Sequence, residues 1–139
     1  MQAACEGAAF GGPTTSAIAA LEEIGETASA ATAWRTAAAR WPDDPTPLFG
    51  IANADFALGR LDDAAAVLRR VIAMNATHVA ARNNLALVLA HQDDFDAATA
   101  QIEAAMRLNT DTALGETLRS TAVQIRDMEA GRPAERRTP

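Results

Sequence analysis

The chain has 139 residues, room for one domain or one short repeat array, and 35 of them are alanine against four Phe, two Trp and no Tyr. That composition favours helices packed closely through small faces, because alanine is the best helix former and loses no side-chain entropy on burial. A formal net charge of -6 without a single lysine excludes the basic footprint of a nucleic-acid or anionic-membrane binder, and one cysteine, Cys5, excludes an internal disulfide or thiolate metal cluster.

Taken in chain order, residues 1–12 carry Gly, charge and no periodic apolar pattern, and read as a flexible tail. Met1 to Cys5 lacks the basic and apolar regions of a signal peptide, and no apolar run reaches the roughly 18 residues needed to cross a bilayer. The compartment stays open: cytoplasmic as the sequence stands, periplasmic if the chain is a mature or truncated fragment. An Ala-rich stretch around Ala17 to Leu21 predicts a first helix, Gly25 a turn, and Ala30, Trp34 and Ala37 a second helix that ends before Pro42. Trp34 reads as core, and Trp41 as a cap on the loop that follows.

Asp44 and Pro45 then form an N-cap and first-turn proline for a third helix, which runs to about Leu58 and stops at Gly59, the expected left-handed cap. A fourth helix starts near Leu61 with Asp62 and Asp63 in its first turn, and puts Ala64, Leu68, Val71 and Ile72 on one face. A fifth helix buries Leu85, Ala86 and Leu89, and a sixth buries Ala98, Ile102, Ala105 and Met106. Beyond Thr110, Leu114, Leu118, Ala122 and Ile125 make a narrower stripe on a seventh, capping helix that ends at Gly131. Residues 132–139 read as a second flexible tail.

These elements recur. Gly25, Gly59 and Asp93 stand 34 residues apart, as do Ala30, Ala64 and Ala98; Trp34, Leu68 and Ile102; and Ala37, Val71 and Ala105. Gap-free columns at one offset are the signature of stacked repeats, in which each helical hairpin buries its stripe against its neighbours. The expected organisation is a domain over 13–131, with repeats at about 11–44, 45–78 and 79–112 and a capping helix at 112–130.

The spacing and residue types resemble the tetratricopeptide repeat family over roughly residues 11 to 112. Leu58 to Ala64 and Asp94 to Ala98 carry its pattern well, and Gly25, Ala30, Trp34, Ala37 and Pro42 give the fullest set. The family's first-helix aromatic positions hold Leu48 and Asp55 in repeat two, and Arg82 and Leu89 in repeat three. The resemblance implies an all-α, right-handed solenoid of helical hairpins, here with seven helices. It also implies a protein-interaction scaffold, with first helices lining a concave groove that holds a peptide or partner protein. Mapped onto this sequence, the groove takes Phe49, Asn53 and Phe56 from repeat two, and Asn83, Asn84, Leu87 and His91 from repeat three. Thr15, Ala19 and Glu22 come from repeat one, with Arg82 beside the groove. The basic clamp by which some family members grip a terminal carboxylate is not carried over, since those groove positions hold no Lys or Arg. Shorter blocks (residues 20–25, 40–44 and 82–86) resemble repeats that follow a papain-like peptidase domain in some bacterial proteins.

No enzymatic reading survives the same inspection. His78 and His91 lack a second ligand at helical spacing, Gly11-Gly12-Pro13 lacks the rest of a phosphate loop, and Ser16, Ser29 and Ser120 sit in ordinary helical contexts. Neither a metal nor a cofactor is expected. The sequence therefore predicts a non-catalytic binding module with a protein or peptide partner. A self-associating structural element (a homo-oligomer) and an accessory domain of a larger bacterial enzyme stand as alternatives. The Ala, Arg and Asp bias matches a GC-rich bacterial genome.

Overall fold

The computed structural model describes residues 27–131. The helix expected around Ala17 to Leu21, with Thr15, Ala19 and Glu22, and the two expected tails lie outside that range. Among the described residues there are six helices and no strand: α1 Thr27–Arg40, α2 Pro45–Ala57, α3 Leu61–Met74, α4 Val79–His91, α5 Phe95–Leu108 and α6 Thr112–Ala130. The sequence predicts seven, so the described count is one lower. The missing member is the one that falls before Thr27.

The chain divides into two compact units between Met74 and Asn75. In the first, α2 packs against both α1 and α3. Ala30, Trp34 and Ala37 of α1 lie at i, i+4 and i+7 and are buried, as are Leu48, Ile51 and Ala52 of α2 and Ala64, Leu68 and Val71 of α3. In the second unit, α4 packs against α5 and α6, and α5 also packs against α6. Its buried residues include Leu85, Ala86 and Leu89, then Ala98, Ile102 and Ala105, then Leu118 and Ile125. Leu68 and Leu85 are each 1% exposed, and burial of a side chain that size contributes about 1.5–3 kcal/mol. Met106, expected on the buried stripe, is 40% exposed. It follows Ala105 by about 100° around the helix and so turns off the stripe that Ala98, Ile102 and Ala105 define.

The helix ends are set by local chemistry. Asp44 Oδ1 accepts the Thr46 backbone N–H at 2.9 Å, and Pro45 occupies the first helical position, where no donor is needed. At the other end of α2, Arg60 N donates to Asp55 O at 2.8 Å and Gly59 N to Phe56 O at 3.0 Å, a Schellman turn with Gly59 at φ 79°. The α4–α5 turn repeats this pattern, with Asp94 N on Leu89 O at 2.9 Å and Asp93 N on Ala90 O at 3.0 Å. There the left-handed residue is Asp93, at φ 64°. Asp94 and Asp111 cap α5 and α6 through the Ala97 and Leu114 N–H groups, at 3.3 and 3.1 Å.

Candidate functional site

Two helices carry the side chains that the sequence singles out, one in each unit. Along α2, residues Leu48, Ile51, Ala52, Ala54 and Asp55 are buried. Phe49, Asn53 and Phe56 share the remaining side at i, i+4 and i+7; Asn53 is exposed and both rings are half-buried. Gly50 belongs to the same helix for a packing reason. A Cβ there would fall inside the Trp34 indole, against Cδ2 and Cε2 and 2.6 Å from Nε1. Trp34 is only 6% exposed, so α2 accepts a mid-helix glycine, at about 1 kcal/mol of helix propensity, to seat the ring of α1.

On α4, Asn83, Leu87 and His91 follow at i, i+4 and i+8, with Asn84 beside the first. Asn84 and Leu87 are half-buried and His91 is exposed, whereas Asn83 is 6% exposed. Asn83 Nδ2 donates to Asn84 Oδ1 at 3.1 Å, and the buried Asn83 Oδ1 accepts no hydrogen bond. A buried acceptor in that condition costs about 1–3 kcal/mol. Asn83 thus sits beneath the face rather than on it, behind the carboxamide of Asn84.

Arg82, expected beside the groove, is engaged elsewhere. Its Nε donates to Ala76 O and its Nη1 to Gln101 Oε1, each at 3.0 Å, which ties the turn before α4 to α5. Its guanidinium is held by the fold of the second unit.

Two ionisable groups to which the sequence assigns no binding role stand out in the structure. His78 is the N-cap of α4: its Nδ1 accepts the Ala81 N–H at 3.1 Å. Burial holds its pKa below the ordinary 6.5, with the bond to its own backbone opposing. The signal for it was its column, since Asp44 lies 34 residues earlier and caps α2. Asp55 stands at a family aromatic position and is 2% exposed. Its Oδ1 meets Arg35 Nη2 at 3.3 Å and Arg60 Nη1 at 3.8 Å, both arginines being about half exposed. Burial raises its pKa above 3.8; Arg35 opposes, Asp63 adds to the rise and Arg60 lowers it. A raised carboxylate pKa means that the folded state favours the protonated form. Its contribution to stability is therefore fullest below pH 3.8 and is lost as pH climbs through the raised value.

Among the described residues no three His, Cys, Asp or Glu side chains gather in a way that could hold a metal ion. No described helix is long and apolar enough to cross a membrane.

Residues 49–111, which run from α2 to the end of the α5–α6 link, match the tetratricopeptide repeat family. Solved tetratricopeptide structures share the fold. The Yersinia enterocolitica type III secretion chaperone SycD, in complex with a peptide of the translocator YopD, superposes with a TM-score of 0.74 at 15% identity, over 81% of this chain and 89% of that one. The TPR2B domain of yeast Sti1, in a complex with pHsp70, gives a TM-score of 0.76 at 17% identity, over 86% and 95%. The first tetratricopeptide domain of Spaghetti (RPAP3), bound to the HSP90 peptide SRMEEVD, gives 0.70 at 15%, over 81% and 90%. No curated protein sequence matches the chain.

Proposed function

We propose that this chain is a non-catalytic interaction scaffold that binds a peptide-like segment of a partner protein, with a candidate binding face on each of α2 and α4, the first helices of its repeats. The observation that carries the reading is a shared one. Both helices are buried nearly all round, and both keep a row of half-buried or exposed side chains: Phe49, Asn53 and Phe56 on one, Asn84, Leu87 and His91 on the other. The peptide complexes of SycD and RPAP3 support it at the level of fold.

A carboxamide offers both a donor and an acceptor, so Asn53 and Asn84 suit the backbone of an extended segment rather than a particular side chain. Phe49 and Phe56 supply the apolar contact that concentrates binding energy. The buried oxygen of Asn83 behind Asn84 gains from any N–H donor that reaches it. With Arg82, the one arginine among the singled-out positions, held by Ala76 O and Gln101 Oε1, an internal segment suits these faces better than an acidic C-terminus.

The test is a peptide-display selection against the full chain, followed by calorimetry on the strongest binder. Asn53→Ala with Asn84→Ala, and separately Phe49→Asp, should each weaken binding about tenfold or more, the mark of a buried anchor. Unchanged affinity in both variants, with helicity intact by circular dichroism, places binding elsewhere on the molecule. A selection that yields no binder overturns the reading.

A further inference from the structure

The cap of α4 differs in kind from the caps of α2, α5 and α6, each of which is an aspartate. An aspartate accepts a hydrogen bond at any pH near neutrality. An imidazole nitrogen accepts one only while it carries no proton. In the observed arrangement the Nδ1 of His78 receives the Ala81 N–H, which requires the neutral ring with its proton on Nε2. Once Nδ1 is protonated, two donors face one another at the end of the helix. The added positive charge also sits at the positive end of the helix dipole.

We propose that His78 is a pH-operated cap: acidification unlatches the first turn of α4, the helix that carries Asn83, Asn84, Leu87 and His91. The consequence for partner binding rests on the function proposed above; the unlatching itself does not.

The surroundings favour a simple switch. On α4 the nearest ionisable side chain is Arg82, one turn on, whose guanidinium is held by Ala76 O and Gln101 Oε1. On α5, which returns to this end of the unit, the residues past the uncharged Gln101 include Glu103 and Arg107, both exposed. On α6, which starts at the same end, Asp111 caps Leu114 and Glu116 is exposed. What displaces the ring from its ordinary pKa of 6.5 is burial, opposed by its backbone bond. The direction fixes the window. With the folded pKa lowered, the cap's contribution is complete above 6.5 and is lost as pH falls through the folded value.

The experiment follows the amide of Ala81 by hydrogen exchange in the full chain, corrected for intrinsic rates, between about pH 8 and about pH 5, the span over which histidine changes charge. Nitrogen-15 spectra of the ring report its tautomer in the same samples. The wild type should show the Nε2–H tautomer at the alkaline end and lose about fivefold in Ala81 protection on acidification, the worth of one cap. His78→Asn, which caps without titrating, should hold its protection throughout, and His78→Ala should be low throughout. A proton on Nδ1 at the alkaline end overturns the proposal. So does an Asn variant that tracks the wild type. Repeating the calorimetry at both pH extremes reads the coupling separately: constant affinity beside a working switch counts against the proposed binding face, not against the cap.

Discussion

The hairpins α2–α3 and α4–α5 have matching helix lengths of 13 and 14 residues and close with the same turn, yet they settle equivalent positions with different chemistry. The first caps with Asp44, turns on Gly59 and buries Asp55 between two half-exposed arginines. The second caps with His78, turns on Asp93 and buries Leu89. A repeat therefore prescribes which positions are interior, capping or left-handed, and leaves the means open. The first unit meets the prescription with residues suited to it; the second relies on a titrating cap and a left-handed aspartate.

The largest test of that difference moves the carboxylate. Leu89→Asp, at the position equivalent to Asp55, puts a charge where Asp94 occupies the place of Arg60, although Arg69 keeps the place of Arg35. Urea titration should register a loss of about 3 kcal/mol, toward the low end of the cost of a buried charge stripped of its partners. The reverse change, Asp55→Leu, should cost under about 1 kcal/mol or even stabilise, because both arginines already reach solvent. Next in size is Gly50→Ala, expected to cost about 3 kcal/mol by overpacking Trp34. Partial rescue of that loss by Trp34→Phe, in a double-mutant cycle, confirms the contact. Asp44→Ala should cost about 1 kcal/mol, unchanged across the histidine range, in contrast to His78→Ala. The smallest effect is a gain: Asp93→Gly should add about 0.5–1 kcal/mol to thermal stability by relieving a left-handed backbone, whereas Gly59→Ala loses a similar amount.

Much of the fold was legible because repetition turns weak local signals into columns. Pro45 and Gly59 marked the ends of α2, and Ala64, Leu68 and Val71 its partner's buried stripe. The candidate site was less legible. Periodicity gives the side of a helix but not the reach of a side chain, so the sequence sets Arg82 beside the groove without showing that a carbonyl and a glutamine hold its guanidinium. Asn83 and Asn84 look equivalent in sequence, yet one rotation of about 100° puts the first under the second. Asp55 stands out in the sequence as a departure from the resembled pattern, but its two arginines, one 20 residues back and one five ahead, meet it only in three dimensions. The pairing of Gly50 with Trp34 has the same origin.

The alanines at 0% exposure, Ala30, Ala64, Ala81, Ala86, Ala90, Ala98 and Ala105, give this protein an uncommon kind of vulnerability. An interior filled by large side chains tolerates exchanges among leucine, isoleucine and methionine, because volume can be redistributed. Where backbones rest on methyl groups there is nothing to trim and almost nowhere to grow. Substitutions at those sites should be tolerated only as glycine or serine, while outward-facing positions should accept many residues. A lineage of such chains should keep its skeleton of small residues long after its surface, and with it the choice of partner, has been rewritten.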